Sequence, residues 1–289
     1  MTRRWGLAAV ALLAGCGHRA PAPVARAPQY LVGAPYQQGG IWYYPRESFS
    51  GDETGLAEVL PDRDGSTADG EAFDGSAMAG AHHTLQLPAV VRVTNFANGR
   101  EVVLRVNDRG PERAGRLLGV TRAVGGLLGM SGATPVRVVV EQGPSEALRD
   151  RLQGGPKGVS AAPVAAVVAE ELGPPGLRPE QGRVQGRVLA GGAESAAAAV
   201  PDRLAATVAQ GVARPGTLWG RVGRFTSVRS ANALKAGLSG MSARVRREAF
   251  GGQAEFVVEA GPYAGVGDAD RALDQARAAG VTDAAIVVE

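Results

Sequence analysis

The sequence has a single cysteine, Cys16, and aromatic residues make up only 5% of its 289 residues. One cysteine excludes any disulfide within the chain, so no covalent crosslink supports the fold. Long hydrophobic runs are also absent. The apolar run at residues 5–13 is far shorter than the roughly 20 residues that a membrane-spanning helix needs, and no other run approaches that length.

Neither sign of charge is in large excess. The chain has 31 basic and 28 acidic residues, and without residues 1–15 the balance is 29 against 28. No basic stripe of the kind that binds nucleic-acid phosphates is present. The charge pattern therefore excludes nucleic acid as an expected partner, and no motif predicts a metal or other cofactor.

The N-terminus has the pattern of an export signal. Arg3 and Arg4 precede the short apolar run, which ends in Leu-Ala-Gly-Cys at 13–16. This run resembles a bacterial lipobox, which implies cleavage before Cys16 and attachment of lipid to it. The alternative is an ordinary signal peptide with an incidental cysteine.

These features predict a lipoprotein signal peptide at 1–15 and a lipid-anchored tether at 16–29, rich in Pro and Ala. Gly17 follows the cysteine where enteric bacteria use aspartate to retain lipoproteins in the inner membrane. By that analogy we expect a periplasm-facing lipoprotein of the outer membrane.

Residues 90–108 predict a β-hairpin. VVRVTNF (90–96) and EVVLRVND (101–108) are rich in β-branched residues, and Val91 and Val93 alternate with polar residues. Asn98-Gly99 supplies a turn between the two strands. Asp108 stands where the second strand ends, which suits either a functional group or a turn residue that bonds its own backbone.

Three titratable residues flank this hairpin within residues 67–111. Glu71 and His82 precede it and Asp108 ends it. Acid–base chemistry requires titratable groups on a rigid scaffold, so a shared site is the functional hypothesis. The alternatives are a solvated loop charge for Glu71 and a surface position for His82.

Four motifs in this block resemble the double-psi β-barrel domain of the rare lipoprotein A family, the septal-ring lytic transglycosylases of bacteria. They are TADGEAFD (67–74), AGAHHTLQLP (79–88), VRVTNFANGR (91–100) and VNDRGP (106–111). The resemblance covers about residues 30–142. It implies Glu71, His82 and Asp108 as catalytic residues, with Asp108 favoured as acid/base and His82 orienting a carboxylate or binding sugar. Asn107 and Arg109 are candidate substrate-binding residues.

Two stretches depart from the family pattern. An aromatic pair, suited to stacking on sugars, is replaced by Val59-Leu60, and an aspartate is replaced by Gly119. Both changes bear on how the site would hold substrate.

Composition separates two more regions. Residues 143–214 are rich in Ala, Gly and Pro with almost no aromatics, which predicts a disordered linker, with short helices possible near 145–153 or 202–210. Residues 215–289 alternate strand and helix patterns twice, which predicts a small α+β ferredoxin-like sandwich. This half resembles the SPOR domain, a peptidoglycan-binding module, and Trp219 and Arg221 are its candidate contact residues.

Together the resemblances imply a multidomain protein that acts on peptidoglycan glycan strands. The expected function is an endolytic lytic transglycosylase that cleaves the MurNAc-GlcNAc β-1,4 bond of peptide-stripped strands, with a 1,6-anhydro product, during daughter-cell separation. Division-site proteins are possible partners. The alternative is a non-catalytic, expansin-like peptidoglycan-binding lipoprotein.

Overall fold

The computed structural model describes residues 27–153, 203–238, 240–250, 253–281 and 284–289. The predicted signal peptide, Cys16 and most of the tether lie outside the described residues, as do residues 154–202 of the predicted linker. No helix in the described ranges is long and apolar enough to cross a membrane.

The first domain is a closed β-barrel. Its elements are β1 (Tyr36–Gln38), β2 (Ile41–Tyr43), β3 (Asp52–Val59), β4 (Ala79–His82), β5 (Ala89–Asn95), β6 (Arg100–Asp108), β7 (Leu118–Val120), α1 (Arg122–Leu128), β8 (Thr134–Val140), α2 (Gln142–Leu152) and β9 (Ala209–Gln210). The main sheet has the order β4-β7-β3-β8-β5-β6-β9, and β4 also pairs with β6, which closes the sheet around six strands. The β4–β6 and β3–β7 pairs are parallel, whereas the other pairs of this sheet are antiparallel, as expected for a double-psi barrel.

The predicted hairpin is confirmed as β5 and β6. Their antiparallel register runs from Ala89 opposite Val106 to Thr94 opposite Glu101. Gly99 closes the turn with φ +73°, a conformation that favours glycine. Val102, Leu104 and Val106 point into the barrel core. Alternation therefore places Arg105 and Asn107 on the outer face of β6.

Two parts of the predicted linker are structured. Helix α2 packs on the barrel through Leu148, which is fully buried against Val90. At the other end, residues 203–214, here called the return segment, lie against the hairpin. Within them β9 pairs with β6 at Arg100 and Glu101, and Leu204 packs against the barrel core.

The C-terminal domain has the predicted sandwich architecture. Its elements are β10 (Leu218–Phe225), α3 (Val228–Gly237), β11 (Ala243–Phe250), β12 (Gln253–Tyr263), α4 (Val266–Ala278) and β13 (Ala285–Val288). The four strands form an antiparallel sheet of order β11-β12-β10-β13, with the two helices packed on one face.

This domain contacts the barrel through polar and apolar groups. The fully buried side chain of Arg116 donates to both carboxylate oxygens of Asp270, at 2.7 and 2.9 Å. Thr54 Oγ1 donates to the Val288 carbonyl at 2.7 Å, and Leu56 packs in the C-terminal core.

Candidate active site

A cavity of about 560 Å³ lies against strands β4 and β6. Two predicted catalytic residues, Glu71 and Asp108, line it together with Asn107. Residues Arg203 and Leu204 of the return segment form part of the wall. The structure thus brings the two carboxylates together at the outer end of the hairpin.

Glu71 is held from the outer face of β6. Arg105 Nη2 donates to both of its oxygens, at 2.5 and 2.6 Å, and Asn107 Nδ2 donates to Oε2 at 2.7 Å. Both members of the Glu71–Arg105 ion pair are largely buried. Glu71 is therefore a fixed carboxylate with a positive partner, and Asn107 contacts it directly.

Asp108 is fixed by backbone amides. Its Oδ1 accepts from the Ala68 and Arg109 amides at 2.9 and 2.8 Å. Its Oδ2 pairs with Arg63, whose side chain is 40% exposed. The arginine lies on the solvent side of this ion pair, and its guanidinium carbon is 4.9 Å from the centroid of the Phe73 ring.

His82 does not reach the cavity. Its ring is buried, and Nδ1 accepts from the Thr84 and Leu85 amides, both at 3.2 Å. Burial, aided by the positive charges of Arg109 and Arg46, lowers the pKa of His82 to about 3. The ring is therefore neutral, with its proton on Nε2, and it stabilises the loop that follows β4. Within the described residues the hydrogen bonds of the His82 ring go to these two amides, and none goes to a carboxylate.

The Arg109 guanidinium donates to backbone carbonyls, and its expected role in binding substrate stays a prediction. Nη1 donates to the carbonyls of His82 and Leu85, and Nη2 donates to the carbonyl of Val32 at 2.5 Å. These bonds occupy the guanidinium, and the residue does not line the cavity.

The two departures from the family pattern are structurally coupled. A Cβ added at Gly119 would lie 2.5 Å from Leu60 Cδ2, so the leucine occupies the space of a side chain at 119. Leu60 also lines the cavity. An apolar wall therefore stands where the family pattern has an aromatic residue and an aspartate.

Trp219 and Arg221 lie on the sheet face opposite the helices, but neither is freely presented. Trp219 is only 9% exposed, and the Arg244 guanidinium lies 3.5 Å from its ring centroid. Burial of Arg221 lowers its pKa from the ordinary value. A ligand would have to displace Arg244 before it could stack on Trp219.

Three site residues were missed from sequence: Arg63, Arg105 and Asp69. Arg105 stands two positions before Asn107, and that spacing places both side chains on one face of a strand. The sequence could therefore have predicted that Arg105 lies beside Asn107. Asp69 precedes a glycine in a turn, a pattern typical of side chains that cap their own backbone. Arg63 lies in an irregular loop, and no local pattern marks it.

Within the described ranges, no group of three or more His, Cys, Asp or Glu could hold a metal ion. The charged and amide side chains that line the cavity are three carboxylates, one amide and two guanidinium groups: Glu71, Asp74, Asp108, Asn107, Arg105 and Arg203.

The barrel region is similar to known proteins. A family model described as "Lytic transglycolase" matches residues 52–140. A protein named endolytic peptidoglycan transglycosylase RlpA from Yersinia pestis is 36% identical over 166 residues, which cover 48% of this chain and 45% of that protein. The RlpA protein of Rickettsia felis is 38% identical over 122 residues, covering 40% of this chain and 54% of that protein.

The matched residues are only part of this chain and only part of each relative. The RlpA protein of Escherichia coli K12 is 44% identical over 88 residues, which are 30% of this chain and 24% of that protein. The chain thus spans between about a quarter and about half of these relatives. The solved SPOR domain of RlpA from Pseudomonas aeruginosa is 26% identical and covers 24% of this chain and 96% of that domain, with a TM-score of 0.23. Within residues 52–140 the barrel of this chain is thus similar to the lytic transglycolase family model, and the chain is similar over part of its length to RlpA proteins.

Proposed function

We propose that this protein is an endolytic lytic transglycosylase that cleaves the β-1,4 bond after N-acetylmuramic acid in peptide-stripped glycan strands. The observation that carries the proposal is the pairing of Glu71 and Asp108 in one cavity, where both are held by the same turn. The names of the RlpA relatives support the reaction type and the substrate class.

In the proposed reaction Asp108 is the acid/base. After substrate displaces Arg63, protonated Asp108 donates its proton to the glycosidic oxygen as the C1–O bond breaks. The sugar's own 6-hydroxyl then attacks C1, and its proton passes to Asp108, so a 1,6-anhydro end forms and no water is consumed. This differs from hydrolytic schemes, in which water enters.

Glu71 has a different role in this scheme. Because Arg105 and Asn107 hold it rigidly, its carboxylate stays at one position while positive charge develops on the sugar ring. Fixed groups aimed at developing charge stabilise a transition state without reorganising. The two carboxylates therefore divide into a proton carrier and an electrostatic stabiliser.

The experiment is digestion of peptide-stripped glycan strands with the purified chain, followed by mass spectrometry of the products. We expect 1,6-anhydro ends, and loss of at least about a hundredfold in rate for Asp108→Asn and for Glu71→Gln. Asp62→Asn is the matched control, because Asp62 is an exposed carboxylate that pairs with Arg122. Strands that bind but remain uncut would favour the non-catalytic, expansin-like alternative.

The remaining proposals concern location. The lipobox-like run supports lipidation of Cys16 and an outer-membrane lipoprotein, and the sandwich fold of residues 215–289 supports glycan binding through the sheet face near Arg244. Recruitment to division-site proteins rests on the SPOR resemblance alone. Mass spectrometry of a Cys16→Ala chain tests the anchor: a variant that still carries lipid would overturn it.

A further inference from the structure

The turn at residues 67–71 connects the two carboxylates of the cavity. It is closed by bonds from the Thr67 amide to the Glu71 carbonyl at 2.8 Å and from the Gly70 amide to the Thr67 carbonyl at 3.0 Å. One end of the turn carries Glu71. The Ala68 amide near the other end donates to Asp108. Any shift of this turn would therefore displace Glu71 and remove a donor from Asp108 together.

The side chain of Asp69 lies at the centre of this turn. It is only 1% exposed, and its Oδ1 accepts from the Thr67 hydroxyl at 2.7 Å and from the Glu71 amide at 3.2 Å. Its other oxygen, Oδ2, is buried and accepts no hydrogen bond within the described part of the chain. A buried oxygen without a hydrogen-bond partner lowers the stability of the folded chain. Oδ1 therefore organises the turn, whereas Oδ2 contributes nothing to the stability of the turn.

We propose that Asp69 is a positioning residue for the cleavage reaction, because its Oδ1 holds the turn that presents Glu71 and directs the Ala68 amide at Asp108. The inference rests on the proposed function, since it assigns a role within that reaction. Asp69 touches neither substrate nor reacting atoms in this scheme. It acts through the two carboxylates that do.

The charge state of Asp69 is linked to the same groups. Burial, and to a smaller extent the neighbouring Glu71 carboxylate, raises its pKa to about 6, against the opposing effects of the Thr67 hydroxyl, the Glu71 amide and the Arg105 guanidinium. A proton added at the free Oδ2 leaves Oδ1 as an acceptor. It removes a negative charge beside Glu71 and Arg105, so the activity of the intact enzyme should show an inflection near pH 6.

The test compares Asp69→Asn with Asp69→Ala in cleavage of peptide-stripped strands from pH 4.5 to 8. Asparagine keeps an acceptor for the Thr67 hydroxyl and the Glu71 amide, whereas alanine removes it. We expect Asp69→Ala to lower kcat by about a hundredfold with little change in KM, as misplacement of reacting groups does. Asp69→Asn should keep most of kcat but lack the inflection near pH 6. A merely structural residue would not produce that loss of pH dependence.

Nuclear magnetic resonance gives a readout that needs no activity. The amide signals of Ala68 and Glu71 should titrate near pH 6 in the unaltered chain and not in Asp69→Asn. Unaltered kcat in Asp69→Ala, or an inflection that survives in Asp69→Asn, would overturn the proposal. If Asp69→Ala does not fold, comparison of Asp69→Asn with the unaltered chain still tests the proposal. Absence of cleavage by the unaltered chain would instead count against the proposed function.

Discussion

Mild acid should destabilise this protein through His82 and His83. Burial lowers the pKa of each ring to about 3, below the ordinary 6.5. As the pH falls through 6.5, the unfolded chain takes up a proton on each ring, whereas the folded chain does so only near pH 3. The stability contributed by the neutral rings is therefore complete above pH 6.5 and is lost progressively as the pH falls from 6.5 towards 3.

The magnitude follows from the size of the shifts. One pKa unit corresponds to about 1.4 kcal/mol, so at pH 5 each histidine lowers the free energy of unfolding by about 2 kcal/mol. Asp69 opposes this change, because its pKa of about 6 lies above the ordinary 3.8. Between pH 7.5 and 5 its protonation in the folded chain restores about 1.4 kcal/mol. The net loss of about 2.5 kcal/mol is a large part of the stability of a typical domain, about 5–15 kcal/mol.

Urea unfolding at pH 5, 6 and 7.5 measures this loss, and His83→Phe is the informative variant. The phenylalanine ring keeps the stack on Tyr43, where the centroids are 3.9 Å apart, and it removes one titrating group. We expect the loss between pH 7.5 and 5 to fall to about 0.5 kcal/mol. An unaltered chain that is as stable at pH 5 as at pH 7.5, or a variant with the unaltered pH dependence, would refute the reasoning.

Three further changes test the packing. Gly119→Asp should destabilise the barrel by crowding Leu60, and adding Leu60→Ala should restore part of the lost stability. Thermal unfolding of the single and double variants measures this, and additive losses of stability would contradict the coupling of the two positions. Leu148→Ala should cost about 2–5 kcal/mol in urea unfolding, as for other buried leucines, and a loss below about 1 kcal/mol would show that α2 does not pack on the barrel. Asp270→Ala leaves the buried Arg116 without its bidentate partner, so we expect a loss of about 3–5 kcal/mol, and an unchanged unfolding curve would refute the contact between domains.

Local patterns predicted much of the architecture. The alternation in β5 and β6, the Asn98-Gly99 turn and each strand and helix of the C-terminal domain are encoded within about ten neighbouring residues. Periodicities of 2 and 3.6 residues report such local order directly. The barrel as a whole was predicted from the four family motifs and not from periodicity.

Long-range contacts explain what was missed. The composition of residues 203–214 gives no sign that β9 pairs with β6, because that pairing depends on the partner and not on the segment. The burial of His82 depends likewise on loops that close over it. Glu71 and Asp108 could be predicted from motifs, but their arginine partners come from a loop and from an outward strand face that only the folded chain brings together.

The return segment determines how far the C-terminal sheet can lie from the cavity. Because β9 is fixed to β6, only residues 211–217 separate the barrel from the start of β10. Seven residues span at most about 25 Å when fully extended. Residues 154–202 begin and end at segments that are both attached to the barrel, so insertions or deletions there would leave that separation unchanged. Under the proposed function, a glycan strand bound by the sheet would be cut within a short, constant distance of the place where it is bound.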